Sequence, residues 1–149
     1  MLAGLLDALE TIHRDLALVF PVHPRTRQKL AAFGLAGRLA ALPRLRLVEP
    51  LGYLDFLKLL AEARLVLTDS GGIQEETTIL GVPCLTLRDN TERPVTVECG
   101  TNRLVGRDPA RIVAAWGEIR DGSAVAPRVP PLWDGRAAER IAEVLLRAL

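Results

Sequence analysis

The chain has 149 residues, of which 49% are apolar and 25% charged, an ordinary globular composition at the size of one domain that excludes a disordered, collagen-like or disulfide-scaffold protein. Its 19 Lys and Arg against 18 Asp and Glu leave a net charge of +1 with no basic block, so nucleic acid is not an expected partner. No apolar run approaches the ~18 residues of a membrane span and no signal peptide opens the chain, so the expectation is a cytoplasmic protein with no membrane partner.

Apolar stretches alternate with helical patterns as in repeated β-α units, so the expected fold class is α/β, a parallel sheet flanked by helices. Met1 to Thr11 reads as an amphipathic helix with no strand ahead of it, and His13 reads as surface. A strand over Leu16 to Phe20 (LALVF) runs into Pro21-Val22-His23-Pro24, where two prolines stiffen the loop around His23. A lone histidine is more often structural than a ligand. Then come a helix over Arg25 to Phe33, a strand over Leu45 to Val48 and a helix over Tyr53 to Ala63. In that helix Tyr53 and Phe56, at helical spacing, read as core rather than as a platform for a base. A strand over Leu65 to Thr68 leads to a helix over Ile73 to Leu80, stopped by Gly81 and Pro83. Cys84 to Leu87 and Asn102 to Val105 are the remaining strands, separated by a short helix over Pro94 to Glu98. A helix over Pro109 to Ile119 starts on the N-cap Asp108. Asp121 to Pro131 (DGSAVAPRVPP) cannot hold regular structure, so residues 120–133 read as a linker to a last helix over Gly135 to Leu149. Cys84 reads as core. With Cys99 it forms no CxxC, so neither a disulfide framework nor a zinc site is supported.

Chemistry concentrates in Thr68-Asp69-Ser70-Gly71-Gly72-Ile73-Gln74-Glu75-Glu76, a strand end, a glycine turn and a helix start in that order. Two glycines let a ligand approach the backbone, and a helix N-terminus offers unpaired N–H groups and a positive dipole end. Ser70 can add a hydroxyl to a phosphate there, and Glu76 can accept from a pair of sugar hydroxyls. The plainer alternative is a β-α turn capped by Ser70, with Glu75 and Glu76 as a solvated first turn. The loop Arg88 to Pro94 (RDNTERP) leaves the next strand on the same side, at the carboxyl ends where open parallel sheets bind ligands. Arg88 and Arg93 either meet an anion or pair with the acidic residues of their own loop.

The string DSGGIQEETTILGVPCLTLRDNTERPVTVECGTNRLVG closely resembles the C-terminal domain of the non-hydrolysing UDP-N-acetylglucosamine 2-epimerases, and PLGYLDF and FPVHP are in the same style. The resemblance runs from about Leu16 to the end and implies the C-terminal half of a GT-B fold of two Rossmann-like domains, the substrate lying between them. It implies that Ser70, Gly71 and Gly72 bind the pyrophosphate of UDP, that Glu76 holds the ribose and that uracil lies against the backbone near Phe56. Arg93 matches an arginine at the nucleotide end of the cleft, and His23 matches a histidine that lines the cleft, near a second, regulatory UDP-N-acetylglucosamine in some members. The implied reaction interconverts UDP-N-acetylglucosamine and UDP-N-acetylmannosamine by elimination and re-addition of UDP, for cell-envelope polysaccharide synthesis, with no metal, nicotinamide or other cofactor. The implied partners are UDP or UDP-N-acetylglucosamine, an N-terminal domain absent from this sequence and, for the full-length parent, a second copy in a homodimer. No catalytic residue is expected in this chain, since the family's acid/base carboxylates lie chiefly in the other domain, so the chain alone is expected to be inert. The family's His-Arg-Arg-Glu-Asn motif and the strand before it have no match in Met1 to His13. That strand would be central, so its absence should leave a gap between the strands at Leu16 to Phe20 and Leu65 to Thr68 or force them together. The alternatives are the donor domain of a GT-B glycosyltransferase and a non-catalytic UDP-sugar-binding module. A phospho-acceptor receiver domain fits less well, because glycines rather than a paired acidic pocket follow Asp69.

Overall fold

The computed structural model describes residues 2–122 and 128–148, so the middle of the expected linker, 123–127, lies outside the described residues. In chain order the elements are α1 (Leu2–Ile12), β1 (Leu18–Pro21), α2 (Pro24–Ala32), α3 (Ala36–Ala40), β2 (Leu45–Val48), α4 (Tyr53–Ala61) and β3 (Val66–Thr68). There follow α5 (Gly71–Leu80), β4 (Cys84–Thr86), α6 (Pro94–Glu98), β5 (Asn102–Leu104), α7 (Pro109–Arg120) and α8 (Ala137–Ala148). All strand pairs are parallel. The fold class is therefore α/β, and every expected strand is present, Leu45–Val48 with the same bounds and the others with one or both ends shifted by a residue or two. The short helix α3, which follows Gly34 and contains Gly37, was not expected.

Among the described residues the strands form two sheets: β1 pairs only with β2, and β3, β4 and β5 follow in that order. The Leu18 amide donates to Arg44 O at 2.7 Å and the Val22 amide to Val48 O at 2.9 Å, so alternation along a parallel ladder aims the Val19 N–H and C=O away from β2. On β3, Val66 N–H donates to Pro83 O and Thr68 O accepts from Leu87 N–H, which leaves Leu67 facing the other edge. The two strands expected to flank a gap thus stay apart, and among the described residues each has one edge without a strand partner.

Helix α1 holds the sheets together. Its Leu6 and Leu9 join Val22, Leu30, Leu39 and Leu42 in one apolar cluster, while Ala8 and Ile12 join Leu85, Ile112, Ala115 and Trp116 in another. Leu18 of β1 and Leu67 of β3 pack against both clusters. Each fully buried Leu or Ile contributes about 1.5–3 kcal/mol, so this one helix carries much of the bond between the halves. Beyond it, Asp15 accepts from Trp116 Nε1 at 3.0 Å and pairs with Arg120 at 3.2 Å. His13 departs from the surface reading: it is half-buried, and its Nδ1 is enclosed because the chain turns there to enter β1. Cys84 is fully buried, and burial pushes its thiol pKa up.

Helix α8 buries none of its residues; Ile141, Val144 and Leu145 lie exposed on one stripe. Asp134 holds its first turn through both carboxylate oxygens against Arg140, at 2.8 and 2.5 Å. No helix among the described residues is long and apolar enough to cross a membrane.

Candidate functional site

Where β3 ends, Thr68 Oγ1 accepts from the Ser70 amide at 3.1 Å and turns the chain out of the sheet. Ser70, in extended conformation, is the N-cap of α5, yet its side chain makes no cap hydrogen bond. The plain capping role considered for it is thus not taken up. Helix α5 begins two residues earlier than periodicity indicated, so Gly71 and Gly72 are its first two helical residues rather than a turn before it. Their amides are among those that a helix cannot satisfy internally.

Neither glycine is demanded by the fold. Both lie outside the positive-φ region. A Cβ built on Gly72 meets nothing within 4 Å, and one on Gly71 meets only Arg93 Cγ at 4.0 Å. Glycine costs about 0.5–1 kcal/mol relative to alanine in a helix interior and offers a helix start no gain over alanine, so the pair eases no internal contact and adds no stability. What the two residues provide is bare backbone at the positive end of a helix dipole.

Arg93 flanks this end. It is the N-cap residue of α6, and its Nε lies 2.8 Å from Glu75 Oε1, within ion-pair distance but off-line for a hydrogen bond. Both side chains are about two-fifths exposed, so the pair contributes at most about 1 kcal/mol. Arg88, by contrast, pairs with Glu92 of its own loop at 3.3 Å, as the solvated-loop reading had it. Backbone placement of Arg93 is tighter than its side chain: its N–H donates to Thr91 Oγ1 at 2.9 Å and its C=O accepts from Thr96 Oγ1 at 2.7 Å.

Beyond the turn, Glu76 borders an open groove of about 490 Å³ with Tyr53, Leu57, Glu75, Ile79 and Trp133. Tyr53 is 62% exposed and so is not the core residue that its spacing implied, because α4 enters the core at Leu60 and leaves its first turn, Tyr53 to Asp55, exposed. Phe56 is half-buried and packs on Leu60, Val66 and Val82. His23 sits at the carboxyl end of β1 as the N-cap of α2, its Nδ1 accepting from the Arg25 amide at 3.3 Å. Ser70, Gly71, Gly72, Arg93 and Glu75 are thus gathered at one place, with Glu76 beside them. Among the described residues no hydrogen bond or ion pair joins His23 to that group, and no set of three or more His, Cys, Asp or Glu side chains is gathered as a metal centre requires.

Sequence reasoning missed two features. One is Glu75 as the partner of Arg93. The other is a buried polar set: Gln74, Thr77 and Thr78 of α5, Thr86 of β4, Thr96 of α6 and Asn102 of β5. Its signal was present, since Gln74, Thr77 and Thr78 fall at helical spacing on the face where a core-facing helix normally carries apolar residues.

The profile of the family described as UDP-N-acetylglucosamine 2-epimerase matches residues 1–146. A UDP-N-acetylglucosamine 2-epimerase of Methanocaldococcus jannaschii is 43% identical over 142 residues, which are 95% of this chain and 38% of that protein. The solved structure of UDP-GlcNAc 2-epimerase from that organism superposes with a TM-score of 0.86 at 41% identity, over 98% of this chain and 41% of that one. Its structure in complex with UDP-GlcNAc and UDP gives 0.81 at 42% identity, over 98% and 39%. The chain therefore spans about two-fifths of the length of these relatives, and it belongs to the UDP-N-acetylglucosamine 2-epimerase family.

Proposed function

We propose that this chain is the UDP-binding half of a UDP-N-acetylglucosamine 2-epimerase. The observation that carries the reading is the start of α5, where two glycines required by neither φ nor packing leave amides open beside the Ser70 hydroxyl and the Arg93 guanidinium. In this reading Ser70, Gly71 and Gly72 take the pyrophosphate and Glu76 the ribose hydroxyls. The backbone near Phe56 borders the uracil, Arg93 stands at the nucleotide end, and His23 faces the cleft.

The reaction breaks the bond from C1 of the sugar to the UDP oxygen as the C2 proton leaves, giving a glycal and UDP. Re-addition returns the proton to the opposite face of C2. Negative charge grows on the departing pyrophosphate. Fixed N–H donors and a cation at that point stabilise the transition state, by about 2.7–4 kcal/mol for a well-placed donor. They need no reorientation because the helix already aims them. Moving the C2 proton needs a separate acid/base pair beside the sugar. We assign that pair to the remainder of a full-length enzyme, so the chain alone binds UDP without turnover.

Calorimetric titration of the purified chain with UDP and with UDP-N-acetylglucosamine, joined to a proton-NMR assay, tests this reading. Saturable binding with no UDP-N-acetylmannosamine formed is the expected result. Absence of binding contradicts the nucleotide role, and turnover contradicts the assignment of the acid/base pair elsewhere.

A further inference from the structure

The buried polar set under α5 is directional, and every hydroxyl proton in it has a destination. Thr91 Oγ1 donates to Gln74 Oε1 at 2.6 Å. Asn102 Nδ2 donates to the same oxygen at 2.9 Å and to Thr96 Oγ1 at 3.0 Å. Asn102 Oδ1 accepts from Thr86 Oγ1 at 2.5 Å, and Thr96 Oγ1 donates onward to Arg93 O. Because Gln74 takes the single proton of Thr91, the lone pairs of that hydroxyl are left for the Arg93 N–H. The backbone of Arg93 is thus gripped on both sides, its N–H by Thr91 and its C=O by Thr96. Both grips run back to Gln74, which is fully buried within the first turns of α5, and to Asn102 on β5.

From this arrangement we propose that Gln74, Thr91, Thr96 and Asn102 are positioning residues that fix Arg93 opposite the amides of Gly71 and Gly72, so that cation and helix end meet a diphosphate with preset spacing. The proposal rests on the UDP-binding reading above and deepens it. A grip of this kind is needed because the Arg93 side chain is tied down by a part-exposed ion pair and by one long, exposed hydrogen bond from its Nη1 to Glu92 O at 3.3 Å; its aim depends on where its backbone starts. Groups held before the ligand arrives bind it without the loss of side-chain and loop freedom that a loose cation suffers.

Thr91→Val keeps the side-chain shape while removing both the proton given to Gln74 and the lone pair offered to Arg93; Thr91→Ser keeps both. Calorimetry with UDP is expected to show affinity reduced about tenfold in T91V and unchanged within about twofold in T91S. R93A should lose about tenfold or more, and the T91V/R93A double variant should be no weaker than R93A alone, since Thr91 acts through Arg93. Amide exchange, read without ligand, should quicken at Arg93 in T91V while the core amide of Leu85 is unchanged. Wild-type affinity in T91V, or losses that multiply in the double variant, overturns the positioning role while leaving UDP binding intact. If T91V melts too low to titrate, T91S and Thr96→Ser carry the comparison: both must match the parent chain in affinity and in Arg93 exchange, and a loss in either overturns the scheme. Failure of the unmodified chain to bind UDP overturns the nucleotide reading instead, and exchange at Arg93 then decides separately whether the grip exists.

Discussion

Arg93 Nε lies 2.8 Å from Glu75 Oε1, so the cation beside the start of α5 is partly neutralised by a carboxylate of that same helix. A diphosphate arriving at the helix end must compete with Glu75 for the guanidinium. Glu75→Gln removes the competitor and one negative charge from the vicinity. UDP affinity is expected to rise about threefold at low salt, with the difference shrinking at high salt as screening takes over. Titrations at two ionic strengths check this, and equal or weaker binding in E75Q would show that Glu75 orients Arg93 rather than restraining it.

Gly72 separates the demands of the fold from those of the ligand. A methyl group there meets nothing within 4 Å and sits in the first turn of a helix, where alanine is at least as well tolerated as glycine, its advantage of about 1 kcal/mol in a helix interior being the upper bound. Gly72→Ala should therefore melt at the same temperature as the parent or a few degrees higher, yet bind UDP at least about tenfold more weakly because the methyl group occupies the space of the anion. Thermal melts and calorimetry on one preparation decide it, and unchanged affinity would sink the idea that the glycine serves a ligand.

Much of this site was legible in the sequence because it is local. Ser70, Gly71 and Gly72 are consecutive, and their placement after an apolar strand and before a helix states their geometry. The helix start was misjudged by two residues, since glycine reads as a turn even where it adopts helical φ. Helix α3 escaped notice because Gly34 and Gly37 read as loop. The grip on Arg93 was beyond reach: its hydrogen bonds join Gln74 to residues 17 and 28 positions away, and no periodicity encodes such pairs. Asp15 and Trp116, 101 positions apart, make the same point.

That last pair sets an acid limit. Asp15 has its pKa lowered, first by the hydrogen bond from Trp116 and then by Arg120. A carboxyl depressed in the folded state stabilises the fold fully above its ordinary value, and that stability drains away as pH falls below about 4 toward the folded pKa. Melting followed by tryptophan fluorescence should drop more steeply between pH 6 and pH 3 in the parent than in Asp15→Asn. Parallel curves would mean that Asp15 carries no acid-linked stability.

The free edges of β1 and β3 make a further claim on dynamics. Val19 and Leu67 direct their N–H groups away from β2 and β4, the strands they pair with among the described residues, whereas Leu85 lies in the central strand of its sheet and is fully buried. Hydrogen exchange read by NMR should find the Val19 and Leu67 amides at least about a hundredfold faster than Leu85. Equal protection of all three would mean that the two sheets close on each other in solution.

The most direct test of the central claim is an amide-resolved NMR titration of the chain with UDP. The resonances of Gly71, Gly72 and Ile73 are expected to move first and furthest, followed by Arg93, with the core amides of β4 still. Shifts centred elsewhere, or none at millimolar UDP, would contradict a diphosphate site at the head of α5.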